Sequence, residues 1–186
     1  MRVISGKFKG KSIKFLKIKN TRPLKDSVRE NIFNILAHSN LISIDIEKSK
    51  VLDAYSGFGS FGIECISRGA NRVTFVENNI HTFKILKENL KSLKTTNQSN
   101  LINENITAFI KGNLNHKYNI LFFDPPYLDN NYLLNLRLIK EKKFFFKDHI
   151  IVLHREISSS DNYDDILNVI MTKEYGRSKL IFAKFN

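Results

Sequence analysis

Val51-Leu52-Asp53-Ala54-Tyr55-Ser56-Gly57-Phe58-Gly59-Ser60-Phe61-Gly62 reads as a buried strand, a glycine-rich turn and the start of a helix running to about Arg68. The chain beyond it keeps alternating. Arg72 to Val76 forms a second strand ending at Glu77, and Asn79 to about Leu93 carries Phe83, Ile85, Leu86, Leu90 and Leu93 at helical spacing. Leu101-Ile102 begins a short strand, and a short helix follows around Thr107 to Lys111. Tyr118 to Phe123 is a strand, Tyr132 to Ile139 a helix and His149 to Leu153 another strand. Asp161 to Leu167 is a weak helix candidate, and Val169 to Tyr175 with Ser178 to Phe185 forms a closing hairpin turned at Gly176. Strands alternating with helices predict an α/β fold: a mostly parallel, doubly wound sheet.

Upstream of Val51 the pattern differs. Val3-Ile4 and Ile13-Phe15-Leu16 flank a Gly6-to-Gly10 segment, which predicts a hairpin over residues 2–16 with Lys7 and Lys9 on one face. Asn20-Thr21-Arg22-Pro23 is a loop. From about Asp26 to His38 the apolar residues Val28, Ile32, Phe33, Ile35 and Leu36 fall on one helical face, with Asp26 suiting the helix dipole.

Gly57-Phe58-Gly59-Ser60-Phe61-Gly62 matches the G-x-G-x-x-G dinucleotide fingerprint, with Glu77 some 20 residues on. Electrostatics argue against that ligand. Asp53 ends the strand just before the turn, so a pyrophosphate at the next helix N-terminus would face a carboxylate. A ligand bearing an ammonium is attracted instead, and S-adenosylmethionine has an α-ammonium and a sulfonium but no phosphate. Gly57 and Gly59 would let the backbone approach the donor closely, and Ser56 beside them is a further candidate donor contact. Glu77 would accept from both ribose hydroxyls, and Asn105, after the third strand, would reach the adenine edge.

The strand Ile120-Leu121-Phe122-Phe123 runs into Asp124-Pro125-Pro126-Tyr127. Proline cannot donate to a sheet ladder and its φ is fixed, so the strand stops there on a stiff shelf. The shelf offers a carboxylate, exposed carbonyls and one flat ring, which suits a planar base carrying an amino group. Asp124 and the Pro125 carbonyl would accept the two amine hydrogens, and Tyr127 would stack on the base. The shelf by itself serves an adenine or a guanine amine equally.

Lys plus Arg outnumber Asp plus Glu by 30 to 18 in the 186 residues, a net charge of +12. Ten of these cations (Arg2, Lys7, Lys9, Lys11, Lys14, Lys17, Lys19, Arg22, Lys25 and Arg29) lie in residues 1–30 against Asp26 and Glu30, a local surplus of +8. That concentration predicts a polyanionic partner. Arg2, Lys7, Lys9, Lys11, Arg22, Lys25 and Arg29 are the candidate RNA contacts. Cys65 is the sole cysteine, so no intrachain disulfide forms and a cytoplasmic setting is expected. The five histidines lack metal-ligand spacing and no apolar run approaches a membrane span, so neither a metal nor a membrane partner is expected. Nothing in the sequence demands a partner subunit, and a monomer is expected.

With the donor turn and the shelf in place, the chain resembles class I S-adenosylmethionine-dependent methyltransferases, and within them the RsmD family of bacterial 16S rRNA guanine-N2 methyltransferases. The resemblance covers nearly the whole chain. It includes Arg2-Val3-Ile4-Ser5-Gly6-Lys7-Phe8-Lys9-Gly10-Lys11 and Thr21-Arg22-Pro23-Leu24-Lys25-Asp26-Ser27-Val28-Arg29-Glu30-Asn31-Ile32-Phe33. Val51 to Gly62, Ser67-Arg68-Gly69-Ala70, Val76-Glu77, Asp124 to Tyr127 and Lys173-Glu174-Tyr175-Gly176 follow in the family's order. The chain departs from the family at Leu24, Ser27 and Tyr127, where Thr, Arg and Phe are common, and at His154-Arg155-Glu156, where a plainer Val-Glu is usual.

The resemblance implies a seven-stranded Rossmann-like sheet with a C-terminal antiparallel hairpin, residues 41–186. Residues 1–40 would form an RNA-binding hairpin and helix extension. It also implies methylation of N2 of guanine 966 in 16S rRNA, within a small-subunit assembly particle. An adenine-N6 methyltransferase, a non-catalytic RNA-binding module and an NAD-dependent oxidoreductase are the alternatives. The N-terminal signature disfavours the first, the intact acids the second, and Asp53 the third.

Overall fold

The computed structural model describes residues 1–16, 24–112, 116–126, 129 and 131–186. Its strands are β1 (Lys50–Asp53), β2 (Arg72–Val76), β3 (Ser99–Ile102), β4 (Tyr118–Phe123), β5 (Phe145–Glu156), β6 (Leu167–Tyr175) and β7 (Ser178–Phe185). They form one sheet in the order β3-β2-β1-β4-β5-β7-β6. The first five strands pair in parallel, and β7 runs antiparallel between β5 and β6. The mostly parallel sheet and its closing antiparallel hairpin are as the sequence predicts.

The helices are α1 (Asp26–His38), α2 (Ser60–Ser67), α3 (Ile80–Ser92), α4 (Ile106–Gly112) and α5 (Asn131–Glu141). They divide between the two sheet faces. Val28, Ile32 and Phe33 of α1 share one core with Phe61 and Ile63 of α2, Leu86 and Leu90 of α3, and Val3 and Ile13 of the N-terminal segment. Phe109 and Ile110 of α4 share the other with Tyr132, Leu136 and Ile139 of α5. The central strands are therefore buried on both sides, which is why they read as continuous apolar runs. Among the described residues no helix is long and apolar enough to cross a membrane.

Three local expectations are corrected. Residues 1–13 do fold back as an antiparallel hairpin, with the Val3 N–H donating to the Lys11 carbonyl at 2.9 Å and the Ile13 N–H to the Met1 carbonyl at 3.0 Å around the Arg2–Ser12 bridge, but its end is a 3-10 turn at Gly6–Phe8, so Lys7 and Lys9 do not alternate along a strand. Gly6 has φ +77°, and a Cβ there would lie 1.9 Å from the Ser67 carbonyl oxygen, so only glycine lets this turn dock on α2. Residues 161–166 form no helix: Asn162 Oδ1 accepts from the Asp164 N–H at 2.8 Å, and Asp161 accepts from Arg155 Nε at 3.1 Å. Such local side-chain bonds compete with helix formation. Strand β5 begins four residues before the predicted His149 and runs past Leu153 to Glu156. Its early part is interrupted by the exposed pair Lys147-Asp148, where the pairing with β4 shifts register, and that hid the alternation.

The N-terminal segment is pinned to α2 and α3 by buried polar groups. Glu64, fully buried, accepts the Ile4 N–H at 2.8 Å, the Ser5 N–H at 2.9 Å and the Arg68 Nε–H at 2.9 Å. Ser67 Oγ accepts the Phe8 N–H at 2.9 Å. On α3, Asn89 accepts the Lys14 N–H at 2.9 Å and donates to the Lys14 carbonyl at 3.0 Å and the Phe58 carbonyl at 3.1 Å.

Candidate active site

The sheet order reverses between β1 and β4, and in open α/β sheets ligands bind beyond the carboxyl ends of the strands at such a point. A cleft of about 400 Å³ opens there, within the size range of small-molecule sites. Asp53, Ser56, Gly57, Glu77, Asp124, Pro125 and Pro126 line it together, as do Tyr55, Phe58, Asn78, Asn79 and His154. Met1, Leu24, Lys25 and Val28 supply another wall, so the N-terminal segment and α1 help to enclose the site.

Asp53 is 1% exposed. Its Oδ2 accepts the Gly62 N–H at 3.0 Å, inside the first turn of α2, where the cap residue Gly59 has no side chain to offer. A strand-end carboxylate thus satisfies one of the helix's free N–H groups. Burial outweighs that bond, and Asp124 and Glu77 add like charge, so the Asp53 carboxyl is pushed up to about 8. Its Oδ1 is buried and has no hydrogen-bond partner among the described residues.

The glycines have separable duties. Gly57 and Gly59 hold φ of +53° and +88°, and a Cβ on Gly62 would lie 2.2 Å from the Phe75 ring. Glu77 turns back over this loop. Its Oε2 accepts the Gly57 N–H at 2.8 Å and its Oε1 the Asn79 N–H at 2.7 Å. A carboxylate has about four acceptor sites, so Glu77 keeps capacity for a ligand hydroxyl beside these backbone N–H groups. Burial raises the Glu77 carboxyl above its ordinary range, with the Asn79 and Gly57 N–H groups opposing.

Across the cleft, Asp124 follows β4 with its side chain 24% exposed. Its Oδ1 lies 2.8 Å from His154 Nδ1. Phe61 and Phe122 stack with ring centroids 4.0 Å apart beneath the cleft, and Phe33 of α1 stacks on Phe61 at 5.2 Å. The Asp129 N–H donates to the Pro126 carbonyl at 2.9 Å. Tyr127, the expected stacking ring, lies outside the described residues, as does Arg22.

Two sequence-predicted residues take other roles. Asn105 is exposed and does not line the cleft, because its Oδ1 caps α4 by accepting the Ala108 N–H at 2.8 Å. Arg29 is fully buried, so it is not presented to RNA. Its guanidinium donates to Asp26 Oδ1 at 2.9 Å and to the Arg2 carbonyl, and lies 3.9 Å from Glu64. Its spacing on the apolar face beside Val28, Ile32 and Phe33 was the available signal. Arg2, Lys7, Lys9, Lys11 and Lys25 are exposed. His154 was missed because the predicted strand stopped at Leu153. Its alternation with Ile150 and Val152 would have set it on the face that carries Asp124.

Solved structures share this architecture. Escherichia coli yhhF superposes with a TM-score of 0.84 at 24% identity, covering 100% of this chain and 98% of that one. HI0767 of Haemophilus influenzae gives 0.78 at 25%, again covering 100% and 98%. The fold is that of the class I S-adenosylmethionine-dependent methyltransferases. Among curated proteins, ribosomal RNA small subunit methyltransferase D of Buchnera aphidicola from Acyrthosiphon pisum is 35% identical over 158 residues, which are 85% of this chain and 79% of that protein. The Haemophilus influenzae protein of the same name is 32% identical over 158 residues, 84% and 79%. The family described as conserved hypothetical protein 95 matches residues 1–184, so the chain belongs to that family, the RsmD family.

Proposed function

We propose that this protein methylates the exocyclic N2 of a guanine in 16S rRNA, at position 966, with S-adenosylmethionine as donor. One observation carries the reading: Asp53, Glu77 and Asp124, from the ends of β1, β2 and β4, converge on a single cleft roofed by the N-terminal segment. Its relatives named ribosomal RNA small subunit methyltransferase D support rRNA as the substrate. The reaction would run on a monomer in the cytoplasm, with the rRNA presented in a small-subunit assembly particle.

The residues present fit the donor. The buried Oδ1 of Asp53 has no cationic or N–H partner among the described residues, and an α-ammonium group provides one. Glu77 holds free lone pairs for ribose hydroxyls, and the glycine loop leaves no side chain over Gly57. When bound, S-adenosylmethionine supplies an electrophilic methyl group on a sulfonium.

The chain's own residues handle the amine. Guanine N2 is a weak nucleophile because its lone pair is delocalised into the ring. Asp124 and the Pro125 carbonyl accept its hydrogens, favour a pyramidal nitrogen and free the lone pair. The effect is positioning and electrostatics, and no strong base is needed, since the nitrogen becomes acidic only as it is alkylated. Pro126 stiffens the shelf and Tyr127 stacks on the base, which must leave any paired or stacked context to arrive there. Residues 1–40 act as the RNA-binding extension, with Arg2, Lys7, Lys9, Lys11, Arg22 and Lys25 on phosphates.

Methyl transfer to unmodified 16S rRNA and to small ribosomal subunits, followed by nucleoside mass spectrometry, tests the assignment. N2-methylguanosine is expected. N6-methyladenosine would replace it with the adenine alternative.

A further inference from the structure

Asp124 is held by a side chain, unlike Asp53 and Glu77. His154 Nδ1 sits 2.8 Å from Asp124 Oδ1, and the histidine is 8% exposed. The contact is built into the sheet. Phe123 of β4 pairs in register with Leu153 of β5, so the next residues, Asp124 and His154, stand side by side on one face. We propose that His154 is a positioning residue for methyl transfer, fixing the Asp124 carboxylate so that its second oxygen meets the target amine. The inference rests on the amine-binding role assigned to Asp124 above.

The tautomer follows from burial. His154 Nε2 is buried with no hydrogen-bond partner among the described residues. A proton there would be an unsatisfied buried donor, which costs more than a typical net hydrogen bond returns. A proton on Nδ1 has an acceptor in Asp124 Oδ1. When the ring is neutral, it therefore donates from Nδ1 and leaves Nε2 bare.

The consequence concerns orientation. Asp124 closes a strand and its carboxylate is 24% exposed at the cleft, and among the described residues His154 is the side chain that fixes the carboxylate plane. Accepting an amine hydrogen requires one oxygen at a set place and angle, and displacement of such a group by about 1 Å costs on the order of 100-fold in rate. Anchoring Oδ1 on His154 leaves the other oxygen as the sole one free for the substrate.

Three full-length variants separate this role from simple packing. Asn presents an N–H near the position of His Nδ1, Gln presents one near Nε2, and Leu fills the space without a donor. His154→Leu is expected to lower kcat about 10- to 100-fold while KM for rRNA and donor affinity change by less than about twofold. His154→Asn should recover most of that loss, and His154→Gln should not. Independently of turnover, ¹⁵N NMR of the imidazole should show the Nδ1–H neutral tautomer, altered by Asp124→Ala.

If Asp124→Ala is inactive while His154→Leu turns over normally, or while Leu and Asn are equally impaired, this inference fails and the reading of Asp124 stands. Normal turnover by Asp124→Ala sinks both. A ring protonated on Nε2 alone overturns the inference even if His154→Leu does not fold.

Discussion

The two sides of the cleft hold their carboxylates by different means. On the β1–β2 side the backbone does it: Gly62 N–H grips Asp53, and the N–H groups of Gly57 and Asn79 grip Glu77. On the β4–β5 side a side chain does it, His154 on Asp124. A backbone-held acid needs only the right turn, and so tolerates a range of neighbouring side chains. A side-chain-held acid depends on one particular residue of the next strand. The donor side is thus a property of the fold, while the shelf side carries what is peculiar to this chain.

The hardest break in the comparison is Asp124→Ala. Turnover should fall about 100- to 1000-fold, the scale of removing one preorganised polar group from a reacting centre. Donor affinity, measured by calorimetry above pH 8 where Asp53 is ionised with or without Asp124, should be retained; normal turnover would refute the shelf assignment. Next comes Gly62→Ala on the donor side. A methyl group 2.2 Å from the Phe75 ring overpacks the α2–β2 contact and should cost about 1–3 kcal/mol of stability in denaturant unfolding. No change in the unfolding midpoint would show that this packing is looser than described.

A gentler probe is pH. The folded Asp53 carboxyl is raised to about 8, well above its unfolded value. A raised acid favours the folded state at low pH, and that contribution fades as pH climbs from the ordinary carboxyl range towards 8. An ammonium-bearing donor selects the ionised form, so its affinity should rise by up to about tenfold per pH unit approaching 8 and then level off. In Asp53→Asn the rise should vanish, and an unchanged profile there would reassign the proton. The smallest effect is at the N-terminal turn. Replacing Lys7 or Lys9 by Gln should reduce the salt slope of rRNA binding by about 0.7 per lost phosphate contact. A slope that does not move would remove that lysine from the interface.

What the sequence revealed follows the same division. Strand ends announced Asp53, Glu77 and Asp124, because a polar residue closing a buried apolar run stands out and the glycines between them have steric reasons to be glycine. His154 stood out in sequence only as a departure from the family; alternation with Ile150 and Val152 gives its face, but its place beside Asp124 comes from the β4–β5 register. Arg29 carries its charge inward: it sits among the buried residues of α1, where Asp26, Glu64 and the Arg2 carbonyl hold the guanidinium, and charge alone does not reveal facing. Asn105 is a different case. A residue placed to reach a ligand was equally placed to cap a helix, and α4 uses it so.

The anchoring of the first residues on α2 and α3 has a consequence in time. Ile4, Ser5 and Phe8 find their acceptors 59 or 60 residues further on, and Lys14 finds Asn89 75 residues further on. This segment, which precedes α2 and α3 in the chain, therefore cannot settle until those two helices exist, and closing loops of that length is slow relative to local helix formation. In pulsed hydrogen exchange during refolding, the amides of Ile4, Ser5, Phe8 and Lys14 should gain protection after those of α2 and α3, and earlier protection would contradict this order. Because Met1, Leu24 and Lys25 wall the cleft, the site is completed by the part of the chain that docks last.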